Sequence, residues 1–190
     1  MQIEYEATFY PIDKDDIRSR LLAVGAELIR SEYVQERSNY TLPSGHEIAG
    51  GWIRVRNEGD KNTLTLKVVD GEKIENQREI TTEVKDFNAT KQLLEAIGCR
   101  HKATQTTKRE LWRIKSVEIM IDEWPWLEPF VEIEGPSEIA VRNIAEKLGF
   151  DYKQAHFGAV DSLYAAKYGI SKEQINTTEQ VTFEGENPFK

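Results

Sequence analysis

A single cysteine, Cys99, occurs in 190 residues, which excludes a disulfide framework and any Cys-x-x-Cys metal or redox motif. Histidine is nearly as scarce. His46, His101 and His156 are too scattered to suggest a local metal cluster, and each is read as structural or surface. No run approaches the roughly 20 apolar residues that cross a bilayer. The opening Met1-Gln2-Ile3-Glu4-Tyr5-Glu6 also lacks the basic and then apolar layout of a secretory leader. A cytoplasmic location with no membrane partner is the resulting expectation. Positive charge is in deficit as well, because 25 Lys and Arg against 33 Asp and Glu leave a net charge of −8. That balance disfavours nucleic acid, whose binding by counterion release wants a basic footprint.

What is present is a globular composition, 39% hydrophobic and 31% charged, of a length that suits one domain. Three segments share a plan of helix, glycine and extended stretch. Asp13 can cap a helix carrying Ile17, Leu21, Leu22 and Val24 that stops at Gly25. Asp86 or Asn88 can cap a second with Leu93, Leu94 and Ile97, closed by Gly98, and Ser137 a third with Val141, Ile144 and Leu148, closed by Gly149. A fourth helix is predicted from about Ala155 to Tyr168. Eight strands are predicted at 2–9, 27–42, 52–56, 63–69, 77–84, 101–114, 117–122 and 130–134. Residues 171–190 are polar and aperiodic, and are expected to form a frayed tail.

Side chains alternate faces along a strand. One parity is apolar: Ile3 and Tyr5, Ile53 and Val55, Leu64 and Leu66, Ile119 and Ile121, Val131 and Ile133. The other carries Glu4 and Glu6, Arg54 and Arg56, Thr65 and Lys67, Glu118 and Asp122, Glu132 and Glu134. A solvated face usually mixes its charges along each strand, whereas these strands are each acidic or basic. Carboxylates two apart on a strand lie about 6.5 Å from each other and repel by roughly 2 to 3 kcal/mol at an effective dielectric near 20. A hard divalent cation relieves that repulsion, and arginines on other strands would meet an anionic phosphate by forked hydrogen bonds. Eight antiparallel strands can close into a barrel that holds one small ligand. The spacing therefore points to a barrel with a polar lumen suited to a metal and a polyanion.

The same residues resemble the CYTH superfamily, the triphosphate tunnel metalloenzymes, which includes class IV adenylyl cyclases, thiamine triphosphatases and inorganic triphosphatases. The family's opening Glu-x-Glu-x-Lys is similar to Glu4-Tyr5-Glu6-Ala7-Thr8. There follow in order Ile53-Arg54-Val55-Arg56, Leu64-Thr65-Leu66-Lys67, Arg78-Glu79-Ile80, Lys108-Arg109, the strand-ending Asp122 and Phe130-Val131-Glu132-Ile133-Glu134. The resemblance implies an α+β fold, an eight-stranded antiparallel barrel with flanking helices, occupying residues 1–170 and followed by a polar tail at 171–190. It implies Mg²⁺ or Mn²⁺ on Glu4, Glu6, Asp122, Glu132 and Glu134, and a phosphate cradle of Arg54, Arg56, Lys67, Arg78, Lys108 and Arg109, with Glu4, Glu6, Arg56 and Lys67 carrying catalysis. Arg78 and Glu79 have opposite parity, and the sequence leaves open which points inward; Lys108 enters the cradle only if a bulge turns it in.

The implied partner is a small triphosphate: inorganic triphosphate, ATP or thiamine triphosphate. A homodimer is compatible with the chain. Three departures from the family pattern bear on substrate: Thr8 stands where the signature has lysine, Thr107 where a second basic residue is expected, and Arg37-Ser38-Asn39-Tyr40 lacks an aspartate before its tyrosine. The implied activity is hydrolysis of the terminal phosphate. The alternatives are a class IV adenylyl cyclase, with Trp52, Tyr40 or the Trp124-Pro125-Trp126 loop at a nucleoside pocket, and a module that binds a polyphosphate without turnover. A carrier of apolar ligands is disfavoured, because unpartnered charges in its lumen would be too costly.

Overall fold

The computed structural model describes residues 1–190. Ten strands form: β1 (Gln2–Ile3), β2 (Tyr5–Phe9), β3 (Glu27–Tyr40), β4 (Gly51–Asn57), β5 (Asn62–Val69), β6 (Gln77–Val84), β7 (His101–Ile114), β8 (Val117–Glu123), β9 (Phe130–Gly135) and β10 (Gln180–Val181). Nine follow one path, β1-β6-β5-β4-β3-β7-β8-β9-β2, with antiparallel pairing throughout. β1 and β2 are one run of chain broken at Glu4, whose amide donates to Gln77 O at 3.0 Å. The first strand thus pairs with β6 through its start and with β9 through its end, which closes the sheet into the eight-stranded barrel anticipated from the sequence.

The barrel is apolar outside and polar within. Ala7, Phe9, Ile119, Ile121, Val131 and Ile133 face outward and are buried under helices α1 (Lys14–Ala23) and α3 (Glu138–Lys147), through Ile17, Leu21, Val141, Ile144 and Leu148. Helix α2 (Phe87–Ala96) covers the outer face of β4 and β5 with Phe87 and Leu94 against Val55, Ile53 and Leu64. The caps are those the sequence offers. Asp13 accepts from the amides of Asp15 and Asp16 at 2.9 Å, and Asp86 and Ser137 each accept from the amide three residues on. Each cap contributes about 1 kcal/mol.

Two expectations are corrected. The fourth helix, α4, spans Asp161–Tyr168 rather than starting near Ala155. His156 instead exchanges two 2.9 Å backbone hydrogen bonds with Thr8, and Gly158 then turns the chain with φ +102°. Residues after Ser171 are not frayed. They form helix α5 (Lys172–Asn176) and then β10, which lies parallel to β7 with Val181 opposite Gln105. Ile175, Val181 and Phe189 are buried with Trp124, Leu127, Phe130, Leu163 and Tyr164. This segment stands over one mouth of the barrel. Gly50 lies at the same mouth with φ +68°, and a Cβ there would fall 2.0 Å from Val69 O, so the close approach of β4 to β5 requires glycine.

Candidate functional site

The lumen is a cavity of about 700 Å³. Its walls divide by charge as the strand parity predicts. β4 contributes Arg54 and Arg56, β5 Lys67 and β7 Arg109, while Glu4, Glu6, Glu132 and Glu134 come from the first strand and β9. Carboxylate oxygens of Glu4, Glu6 and Glu134 all lie within 4.8 Å of one another. The register explains the grouping, because Glu6 pairs directly with Glu134 across β2 and β9.

Two of these three groups are held at an electrostatic cost. Burial raises the Glu6 carboxyl well above the usual range, and although Lys67 opposes this, Glu132, Glu4 and Glu134 add to it. Glu134 is raised to about 7 by burial, Glu4 and Glu79. Glu4 goes the other way: burial pushes it up, but Lys67 Nζ, 2.6 Å from its Oε2, leaves it below the ordinary value. Neither Glu6 nor Glu134 forms an ion pair. Three converging carboxylates, two of them uncompensated, have the hard-oxygen donor chemistry that suits Mg²⁺ or Mn²⁺, so the residues present fit such an ion.

The other two predicted metal ligands are placed differently. Asp122 is fully buried and accepts from Arg109 Nε at 2.7 Å and Nη2 at 2.5 Å, and Glu132 accepts from the same Nη2 at 2.5 Å. Both carboxylates are therefore committed to one guanidinium and are not among the three whose oxygens converge, although Glu132 still repels Glu6. Burial lowers the Arg109 pKa, but Asp122 and Glu132 outweigh it and raise the group well above its usual range. Arg56 pairs with the buried Glu58 at 2.7 Å, yet burial and the neighbouring Arg54 and Arg109 bring it down to about 10.

Two predicted cradle residues lie outside the lumen. Arg78 pairs with Asp70 on the surface, and its neighbour Glu79 faces inward instead. Lys108 bonds Glu123 at 3.0 Å on the outer wall; the register between β7 and β8 has no bulge that would turn it in. Thr8 and Thr107 are inward and buried, and the Thr107 hydroxyl donates to Gln35 Oε1 at 3.3 Å. Of the aromatic candidates, Trp52 and Trp124 line the cavity, whereas Tyr40 is packed under α2 and Trp126 meets Phe189 edge to face. His46, His101 and His156 are exposed and do not converge.

The sequence reading missed Arg37 as a lumen residue and left Glu79 undecided against Arg78. Gln35, Arg37 and Asn39 alternate on β3 as a polar parity. The opposite parity, Val34, Glu36, Ser38 and Tyr40, is too mixed to reveal the contrast.

The family model of the CYTH domain matches residues 2–163. No curated protein matches the chain in sequence. Among solved structures, a candidate adenylate cyclase from Vibrio parahaemolyticus superposes with a TM-score of 0.73 at 12% identity, covering 86% of this chain and 98% of that one. A protein from Pyrococcus horikoshii gives 0.67 at 23% identity, with 86% and 99% covered. A candidate adenylyl cyclase from Hippeastrum, described as having a dominant triphosphatase activity, gives 0.56 at 11% identity, with 88% and 97% covered. These structures share the barrel. Together with a family match that spans most of the chain, they support one conclusion: the chain belongs to the CYTH domain family.

Proposed function

We propose that the protein is a divalent-metal-dependent enzyme that hydrolyses the terminal phosphate of inorganic triphosphate or of a nucleoside or thiamine triphosphate. One observation carries the reading: arginines with unsatisfied charge and carboxylates with unsatisfied charge line a single lumen. Arg54 forms no ion pair and its Nε is buried without a partner, while Glu6 and Glu134 have no cation of their own. A polyphosphate together with a divalent cation satisfies both sets at once.

In this reading Arg54, Arg56, Lys67 and Arg109 bind phosphoryl oxygens through charge-assisted hydrogen bonds and stabilise the charge that grows as the bridging bond breaks. Asp122 and Glu132 fix the Arg109 fork, and Glu58 aims Arg56. Glu4, Glu6 and Glu134 would hold the metal ion, which supplies Lewis acidity toward phosphate oxygens and water when bound.

The second reading, cyclisation of ATP, rests on Trp52, half-buried at the mouth, where a nucleobase could stack. A product assay with Mg²⁺ and with Mn²⁺ on inorganic triphosphate, ATP and thiamine triphosphate tests both. Orthophosphate release establishes hydrolysis. Cyclic AMP with pyrophosphate establishes cyclisation, and no turnover with any substrate under either metal overturns the enzymatic reading.

A further inference from the structure

The cations of the lumen are not equally satisfied. Lys67 has Glu4, Arg56 has Glu58, and Arg109 has both Asp122 and Glu132. Arg37 has no carboxylate. It is 5% exposed, lies on β3 opposite Arg56 of β4 and Gln105 of β7, and lines the cavity. Its one hydrogen bond runs from Nη2 to Gln35 Oε1 at 2.6 Å, its Nε is buried without a partner, and its guanidinium lies 4.8 Å from the centroid of the Trp124 ring.

The partner chosen for it is informative. Gln35 is fully buried, and its side-chain oxygen also accepts from Thr107 while its amide donates to Tyr33 Oη at 3.3 Å. A neutral amide fixed in this way orients the guanidinium without neutralising it. A carboxylate at the same place would satisfy Arg37 internally and compete with any incoming anion. Burial, with Arg54, Arg109 and Arg56 nearby, holds Arg37 well below the usual arginine range, and the attraction of Asp122, itself paired with Arg109, offsets this only in part. Uncompensated buried charge of this kind needs a counter-ion from outside the chain.

We infer that Arg37 is a further substrate-binding residue, donating from its free guanidinium edge to a phosphoryl oxygen of the triphosphate. The inference rests on the triphosphate reading above and adds a contact on the β3 wall. It also assigns Gln35 and Thr107 as positioning residues, a pair that keeps Arg37 both aimed and charged.

The test is calorimetric titration of inorganic triphosphate into the full chain in the presence of EDTA, where no turnover occurs, alongside thermal melts without ligand. Arg37→Met is expected to weaken binding by about 10- to 100-fold, the range for a charge-assisted contact, while leaving the melting temperature of the ligand-free protein equal or higher. Arg37→Lys is expected to retain part of the affinity. Binding by Arg37→Met within twofold of wild type overturns the inference, and a lowered melting temperature with unchanged affinity would mark Arg37 as structural. Should Arg37→Met fail to fold, Gln35→Glu supplies the second test: an internal carboxylate partner for Arg37 should weaken triphosphate binding and raise the melting temperature, and unchanged affinity overturns the assignment. If wild-type protein binds no triphosphate either with EDTA or with Ca²⁺ in its place, the proposed function and this inference fall together. If wild type binds and Arg37→Met binds equally, only this inference falls.

Discussion

Lys67 Nζ sits 2.6 Å from Glu4 Oε2, with each side chain only 9% exposed. The pair joins the basic wall to the acidic one. Burial lowers Lys67, but Glu6 and Glu4 outweigh it and raise the ammonium to about 12, so it remains charged at every pH of interest. Removing one member of a buried pair leaves the other uncompensated, which costs about 3 kcal/mol. Lys67→Met is therefore expected to lose about that much stability at neutral pH, read from urea denaturation midpoints. A loss below 0.5 kcal/mol would show that Glu4 is relieved by solvent instead of by Lys67.

Glu134 gives the protein a pH dependence of unusual sign. Its carboxyl is raised from an ordinary 4.5 to about 7, so between those values the folded state holds a proton that the unfolded state has released. Stability of the metal-free protein should then fall as pH rises from about 4.5 through 7 and level off above, by about 3 kcal/mol from this group alone. Glu134→Gln should be more stable than wild type at pH 8 and equal to it near pH 4.5. Denaturant midpoints across that range check the sign, and a difference that grows toward acid would refute it.

Metal binding should mirror that profile. Coordination requires the deprotonated carboxylate, so Mn²⁺ affinity, measured by titration without substrate, is expected to tighten by about tenfold per pH unit on approaching pH 7. Glu134→Gln should make this slope shallower, leaving the part that Glu6 carries, and weaken Mn²⁺ binding at pH 8. Identical affinity in variant and wild type at pH 8 would remove Glu134 from the ligand set.

Strand alternation made much of this site legible in the sequence. Glu4, Glu6, Arg54, Arg56, Lys67, Glu132 and Glu134 face the lumen on the parity opposite to the apolar residues of their strands, whereas Arg109, flanked by Lys108 and Glu110, is reached only through the family resemblance. On β6 the pattern fails: Ile80, of the same parity as Arg78, is itself exposed, so no buried apolar face marks the outside of that strand. Arg37 was hidden for the related reason that β3 is polar on both parities. Asp122 and Glu132 have the right parity for metal ligands, but a single-residue pattern cannot reveal that Arg109, opposite Asp122 in the β7 and β8 register, claims both.

The inside and outside assignments separate under mutation. Arg56→Ala removes a guanidinium held in the lumen and should raise KM and lower kcat for triphosphate hydrolysis, with kcat/KM down at least 100-fold, the order of one lost donor to developing charge. Arg78→Ala and Lys108→Ala remove cations that pair with Asp70 and Glu123 on the outer surface, and should leave kcat/KM within twofold. A large loss in either surface variant would mean that the strand faces are reversed there.

Phe189 tests whether the C-terminal segment is part of the working structure. Its ring lies 4.7 Å from that of Tyr164 and 6.4 Å from that of Trp126 between centroids, and the residue is 8% exposed. Ile175 and Val181, in the same cluster, also line the cavity, so the packing that anchors residues 171–190 is continuous with the wall of the mouth. Truncation of a buried aromatic costs about 3 to 5 kcal/mol, and Phe189→Ala is expected to fall in that range if the segment unfolds together with the barrel. The sequence offered little sign of this, because Ile175, Val181 and Phe189 are spaced without a helical or strand period and each buries against residues far away in the chain. A single cooperative transition shifted to lower denaturant is the predicted outcome. If an early transition appears while the main one stays at the wild-type midpoint, the segment docks as an independent cover, and triphosphate hydrolysis by Phe189→Ala should then change in KM while the stability of the barrel does not.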